Sequence, residues 1–417
     1  MRKWYYTQIR IKVKIIFLFL SLFPRVCYNT FREGGLSMER TDFPRRVLVI
    51  GGGAGGLCAA IAAARAGARV TILEKANRVG KKILKTGNGR CNLSNLHVAP
   101  EGYNHPAFVA PVLTETGCGD LRSFFASLGL WTVADGEGRV YPLSDTATSV
   151  LDVLRLECAR LGAEEICSAE VTTIRTAKHG YIVSTREQGD LPADRVIVSA
   201  GGGTALLRPL GHPYAPFAPV LCPLKTDSES VRGLTGLRVR GVAALIRDGE
   251  TVHREAGEIL FRDFGISGIL ALNLSRHAVG GDTLSLDLLP DMDRETLTEK
   301  LERQRALRGR GELLTGVFHR RLGEAILRRA GSDEPRNVAG VIKDYRFTVL
   351  GPGDTQNAQV TRGGAGVDYF DPATLESTLC PGLYAVGEAL DIDGECGGYN
   401  LHWAFASGLA AGRSSAK

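Results

Sequence analysis

The chain alternates short, almost wholly apolar runs with glycine-rich turns and alanine-rich stretches. RRVLVI (residues 45–50) has the length and continuity of a strand buried on both faces of a parallel sheet. GGGAGG follows, then LCAAIAAARAGA, which predicts a small-residue helix stopped at Gly67, and RVTILEK predicts a second strand ending at Glu74. Further on, SDTATSVLDVLRLECARLGA predicts an amphipathic helix capped by Ser144. EVTTIRT and GYIVSTREQGDLP predict a hairpin that feeds the buried run ADRVIVSAGGG (residues 193–203).

The pattern changes over residues 206–350. A proline-rich connection leads into strand-like stretches such as GLRVRGVAALIRDGETVHREAGEILF, then an arginine-rich helical region over residues 294–330. After it the tail GLYAVGEALDIDGECGGYNLHWAFASGLAAG predicts a buried strand over 383–386 and a closing small-residue helix. The expected fold class is therefore α/β. A discontinuous Rossmann-like domain (residues 44–205 and 351–417) carries an insert, part β and part helical, at 206–350.

Composition sharpens this in three ways. The 417 residues suggest two or three domains, and 44% hydrophobic with 23% charged residues describes an ordinary globular protein. The net charge of +6 belongs to residues 1–37, which hold seven Lys and Arg against Glu33 alone, so residues 38–417 balance at 44 of each sign. That balance argues against nucleic acid as a partner, and the arginines of 294–330 read as a solvated helix face. Nine cysteines with no C-x-x-C argue against a disulfide framework or a zinc site and fit reduced thiols in a cytoplasmic protein.

The apolar run at 15–23 is too short to span a bilayer, and no small-residue cleavage site follows it. Met38 opens MERTDFPRRVLVIGGG, and residues 33–35 (Glu-Gly-Gly) can be encoded by a purine-rich ribosome-binding sequence. The expectation is that translation starts at Met38, that residues 1–37 are a non-native extension, and that no membrane is involved.

The chemistry begins at Gly51-x-Gly53-x-x-Gly56. Gly51 permits the tight turn, Gly53 lets amides approach a pyrophosphate, Gly56 allows close helix–strand packing, and Glu74 accepts from a ribose. Strand, turn, helix and acid in register make this a strong dinucleotide signal. A second glycine segment with a carboxylate, Gly387 and Glu388, after the late strand suggests a longer cofactor whose ribityl chain meets that carboxylate. In KTGNGRCNLSN (residues 85–95), Gly87 and Gly89 let the backbone pass close to the cofactor, and Arg90 and Asn92 supply donors. Cys91 reads as a small side chain in the same loop, with a redox pair to Cys396 as the minority reading. No side chain stands out as acid or base. His402 and Tyr399 are the two within reach of a ring, His402 reading as structural.

These segments resemble the two-dinucleotide-binding-domain flavoproteins. More closely they resemble the aminoacetone-oxidase-like family of NAD(P)/FAD-dependent oxidoreductases, which includes reductases of unsaturated bile-acid intermediates. VLVIGGGAGGLCAAIAAARAGARVTILEK, GKKILKTGNGRCNLSN, GRVYPLSDTATSV, GEILFRDFGISG and PGLYAVGEALDIDGECGGYNLHWAFASG carry the likeness from residue 47 to residue 412. Thr146 departs from it, the family often having Lys or Gln there. The resemblance implies FAD bound by Gly51, Gly53, Gly56, Glu74, Lys75, Gly89, Arg90, Cys91, Asn92, Val171 (through its backbone, at adenine), Ala200, Gly201, Gly387, Glu388, Gly398, Tyr399, Asn400 and Leu401. It implies no metal, a β-barrel plus helices as the insert, and a small-molecule substrate beneath that insert. Hydride would pass between flavin and substrate, with NAD(P)H as a transient donor visiting the same pocket because only one dinucleotide fingerprint exists. An oxidase of an amine-type substrate, an RNA-modifying flavoprotein and a non-catalytic flavin-binding module stay open, as do the substrate and the oligomeric state.

Overall fold

A computed structural model describes residues 44–202, 205–308, 311–355, 358 and 360–417. The readings made on residues 1–37, on Met38 and on Gly203 lie outside the described residues.

Five parallel strands form the central sheet, in the spatial order Leu383–Ala385, Arg195–Val198, Arg46–Ile50, Arg69–Glu74, Glu164–Cys167. Their runs are apolar because both faces are covered: Val47, Val49, Ile72 and Ile197 are each at most 1% exposed. The chain leaves Arg46–Ile50 toward one edge and later returns on its other side, so the carboxyl ends of Arg46–Ile50 and Arg195–Val198 flank the crevice where such sheets take ligands.

Helix Ala54–Arg65 lies against the terminal helix Tyr399–Ser415, and both are rich in small residues. The reason is close approach. A Cβ on Gly408 would stand 2.3 Å from the Gly55 carbonyl oxygen, and one on Gly412 2.4 Å from that of Ala59. The closing helix thus packs onto the first βαβ unit, as its composition suggests.

Strands Leu224–Thr226, Gly265–Ser267, Glu250–Phe261, Arg238–Arg247, Thr283–Asp287 and Tyr345–Pro352 close into a barrel. The antiparallel pair Tyr214–Val220 and Val360–Ala365 connects it to the sheet domain. The fold is a Rossmann-type parallel sheet with a six-stranded barrel and helices, the α/β class expected.

One local expectation is refined and one corrected. The helical region 294–330 is broken into Arg294–Arg308 and Arg320–Ala330, with Gly311 and Gly316 between them at φ of 85° and 83°. Helix Ala147–Arg160 is capped by Thr146, whose side chain accepts from the Thr148 amide at 3.4 Å, while Ser144 bonds Ser149 instead. The Thr146 departure therefore has a local structural use.

His402 is fully buried: its Nδ1 lies 2.8 Å from the Ser94 hydroxyl and its Nε2 3.0 Å from the Thr116 carbonyl. One donor and one acceptor fit the neutral ring, and burial lowers its pKa to about 4.

Two predictions follow from this packing. Gly408→Ala drives a Cβ into the Gly55 carbonyl and should cost about 3 kcal/mol in urea unfolding. Gly119→Ala, in helix Cys118–Ser127 with nothing within 4 Å, should be neutral or stabilising. For His402, the unfolded ring takes up a proton near pH 6.5 and the folded ring near 4. Its contribution is thus whole above pH 6.5 and falls by about 3 kcal/mol as pH drops to 4. His402→Gln keeps a donor and an acceptor without titrating, so stability should fall less steeply over that window in denaturation at stepped pH.

Candidate active site

The first turn is shaped by what side chains would hit. At Gly51 (φ 98°) a Cβ would lie 2.4 Å from the Ser199 carbonyl oxygen, and at Gly56 1.9 Å from that of Gly51. At Gly53, which caps helix Ala54–Arg65, a Cβ meets nothing within 4 Å, so the backbone there borders open space. The amides of the helix's first turn point along that opening and favour an anion. Glu74 is fixed at the strand tip, accepting from the Gly52 amide on Oε2 and the Ala76 amide on Oε1, both at 2.8 Å. Each oxygen keeps a second lone pair. Lys75 is exposed beside it, and residues 168–169 run along the same end, with the Ala169 amide 3.0 Å from the Glu74 carbonyl and Val171 opening the next strand.

Residues 86–92 form a strained loop. Gly87, Asn88, Gly89 and Cys91 all have positive φ, at 55°, 56°, 85° and 60°. Two of these are not glycine, an unfavourable backbone that clusters at binding sites. Cys91 turns its side chain inward, 0% exposed, and burial pushes the thiol up to about 12. The Cys396 thiol is raised to about 11 by burial as well. Burial thus disfavours in both the thiolate that a redox pair would use. Arg90 is committed to Asp145 and lies 4.1 Å over the Tyr141 ring. Asn92 Oδ1 is buried with no hydrogen-bond partner, and a Cβ on Gly398 would stand 2.9 Å from it.

Ala200 and Gly201 follow strand Arg195–Val198, and Gly201 (φ 74°) faces Glu388. Glu388 Oε2 accepts from Lys82 Nζ at 2.5 Å and from the Gly202 amide at 3.4 Å. Lys82 was not legible as a site residue in the sequence. Gly387 (φ 57°) is held by its amide on Ser407 and its carbonyl on the Trp403 indole.

The tail loop completes the arrangement. Gly397 and Gly398 have φ of 113° and 112°, and a Cβ on Gly398 would strike the Ser94 carbonyl oxygen at 2.4 Å. Asn400 ties the loop to itself through Gly394 and the Glu395 carbonyl. Leu401 packs on the sheet-domain core. Tyr399 donates to the His97 carbonyl at 2.9 Å, and Tyr103 to the Tyr399 carbonyl. Tyr399 and His402, the two side chains within reach of a ring, are thus spent on structure. Asp393, 0% exposed, accepts from Arg276 at 2.7 Å and from Arg362 at 3.1 Å. Asn273 accepts from the Cys396 amide at 2.8 Å and donates to Glu255 at 2.9 Å. Glu255 and Asn273 come from the barrel segment, far from the tail in sequence, so no spacing could reveal them.

These features fit an extended dinucleotide: a helix N-terminus beside open backbone, a fixed carboxylate for a ribose, a second carboxylate beside Lys82, and an orphaned acceptor near the last glycines. Among the described residues no group of three or more His, Cys, Asp or Glu is placed to hold a metal, and no helix is long and apolar enough to cross a membrane.

A family described as the HI0933-like protein Rossmann domain matches residues 45–414. The chain is 37% identical over 408 residues, 89% of its own length and 99% of the relative's, to the 3-dehydro-bile acid delta(4,6)-reductase of Clostridium scindens. It is 27% identical over 399 residues to the ribosomal RNA dihydrouridine synthase of Escherichia coli, covering 89% of this chain and 97% of that one. Among solved structures, 3-ketosteroid-delta4-(5alpha)-dehydrogenase from Rhodococcus jostii RHA1 is similar at a TM-score of 0.45 and 15% identity, over 91% of this chain and 98% of that one. The chain belongs to the HI0933-like Rossmann family and is a flavin-dependent oxidoreductase.

Proposed function

We propose that this chain is an FAD-dependent, NAD(P)H-driven reductase of a carbon–carbon double bond conjugated to a carbonyl, acting in the cytoplasm on a small organic substrate. When bound, FAD would supply the hydride, with its two electrons, that it takes up from NAD(P)H. The observation that carries the reading is the position of residues 394–398. On one side they meet Asn92, Ser94 and Asn95; on the other Asn273 of the barrel segment holds the Cys396 amide, and Arg276 grips the preceding residue, Asp393. A ring laid on this loop would be walled by both parts of the chain, with water largely excluded.

The residues divide the work. Amides at Gly53 and the following helix turn would take the pyrophosphate, and Gly51 and Gly56 would keep the turn close enough for that. Glu74, with Lys75 beside it, would take the adenosine ribose, and the Val171 backbone the adenine. Ala200, Gly201, Gly387 and Glu388 would flank the ribityl chain, Lys82 supplying the nearby positive charge. Gly89, Asn92, Gly398, Tyr399, Asn400 and Leu401 would frame the ring, Cys91 contributing backbone only. Arg90 joins them by leaving Asp145, an exposed pair worth about 0–1 kcal/mol.

The two named relatives share one chemistry. A 3-dehydro Δ4,6 bile acid has double bonds conjugated to a ketone, and dihydrouridine is uridine with its ring double bond, also conjugated to a carbonyl, reduced. The steroid-like substrate is the better supported because that relative is the more similar. One feature favours the RNA reading: residues 294–343 hold twelve Lys and Arg against seven Asp and Glu, although the chain beyond residue 37 is neutral.

Two measurements test this. The purified protein, reconstituted with FAD, should show a flavin spectrum that NADH or NADPH bleaches without oxygen. A steroid 4,6-dien-3-one should then restore the colour faster than air does. Restoration by air alone would favour an oxidase, and by uridine-containing RNA the second reading. Asn92→Leu removes the orphaned acceptor and should weaken FAD binding about 3- to 10-fold by fluorescence titration, the loss of one hydrogen bond.

A further inference from the structure

Reducing a conjugated double bond requires a proton as well as a hydride, and the groups nearest in sequence do not supply one. Tyr103, Tyr399 and His402 spend their polar atoms on internal carbonyls and a hydroxyl, and the Cys91 and Cys396 thiols are raised by burial. One group on the loop is left. Glu395 is half-buried, three residues before Gly398, and its own amide and carbonyl are fixed by the Gly102 carbonyl and Asn400. Its charge is felt by Glu255 and His253, from strand Glu250–Phe261, by Arg276, which follows helix Ile269–Leu274, and by Tyr103 and Tyr399 of the sheet domain.

Hydrogen bonds tie these neighbours to the loop that carries Glu395. Glu255 Oε1 accepts from Asn273, whose other end accepts from the amide of Cys396, the residue after Glu395. Glu255 Oε2 lies 3.5 Å from His253 Nε2, and the His253 ring stacks on His277 at 4.2 Å and 17°. Two stacked imidazoles disfavour a double charge, and His277, burial-depressed to about 4, is the neutral one. His253 therefore stands between Glu255 and the neutral His277 ring. Burial first and the Glu255 charge second raise the Glu395 pKa, against lowering by Arg276 and His253. The carboxyl so holds its proton to higher pH than an ordinary glutamate.

We propose that Glu395 is the acid of the reduction, protonating the substrate carbon next to the carbonyl, with Glu255 and His253 returning its proton from solvent. This rests on the conjugated-reductase reading. The substrate π bond breaks; the carbon farther from the carbonyl takes the hydride from a reduced flavin, and the nearer carbon takes the carboxyl proton. Glu395 is left as a carboxylate until Glu255 and His253 reprotonate it.

The test compares the FAD-loaded protein with E395Q, E395D and E255Q. With NAD(P)H, all four should be reduced at similar rates. Reoxidation by a steroid 4,6-dien-3-one should slow at least about 100-fold in E395Q, the usual worth of a positioned acid, and recover in part in E395D. An independent reading needs neither FAD nor turnover. In infrared titration of the FAD-free chain, a protonated-carboxyl band persisting above the ordinary glutamate range should vanish in E395Q and move to lower pH in E255Q. Unchanged reoxidation in E395Q beside a fast unaltered protein, or an infrared band indifferent to E395Q, overturns the proposal alone. If neither the dienone nor uridine-containing RNA reoxidises the unaltered protein, the reductase reading itself falls.

Discussion

The buried ion pair between Asp393 and Arg276 is the constraint on which the rest of the site depends. Asp393 is 0% exposed and Arg276 6%, and the same guanidinium also holds the Asp393 carbonyl at 3.0 Å. Two charges taken so far from water cost several kcal/mol each, offset only when geometry and further hydrogen bonds are good. Arg362, itself in the strand pair that joins barrel to sheet, supplies a second cation to Asp393. The pair does little for stability that an apolar contact could not do. It fixes one register between the barrel segment and the tail loop, and every residue from 394 to 398 inherits its position from that register.

From this lock two different surfaces face each other. Strained glycines and buried acceptors of the sheet domain lie on one side, and the Glu255, His253 and Asn273 face of the barrel lies on the other. The first set is backbone, fitted by removing Cβ atoms; the second is side chain, fitted by burial and charge. A cofactor common to a family would ask for the first, whereas the proposed substrate and proton traffic would draw on the second.

This division explains what the sequence could show. The turn at Gly51, Gly53 and Gly56 with Glu74 is local, and each glycine has a steric reason that spacing reveals. The parallel strands were equally plain, because burial on both faces leaves unbroken apolar runs such as VLVI. The Ser144 cap was misplaced by two residues because Ser and Thr compete for the same amide, and only backbone geometry decides between them. The helical region over 294–330 was legible in its composition, but its break into two helices was not; Gly311 and Gly316 lie between them at positive φ. Glu395 was quoted within its motif and passed over, since its meaning lies in Glu255, 140 positions away. Lys82 looked like one of several surface lysines until Glu388 was found beside it.

The contact of Gly408 and Gly412 with helix Ala54–Arg65 reaches beyond packing. The turn after Arg46–Ile50 is made early in synthesis, yet the helix behind it and the strand Leu383–Ala385 at the sheet edge come from the final stretch of the chain. The groove is therefore not a finished receptor during elongation. Its two halves meet only when segments far apart in the chain dock, and without helix Tyr399–Ser415 the nucleotide turn would lack its own back wall.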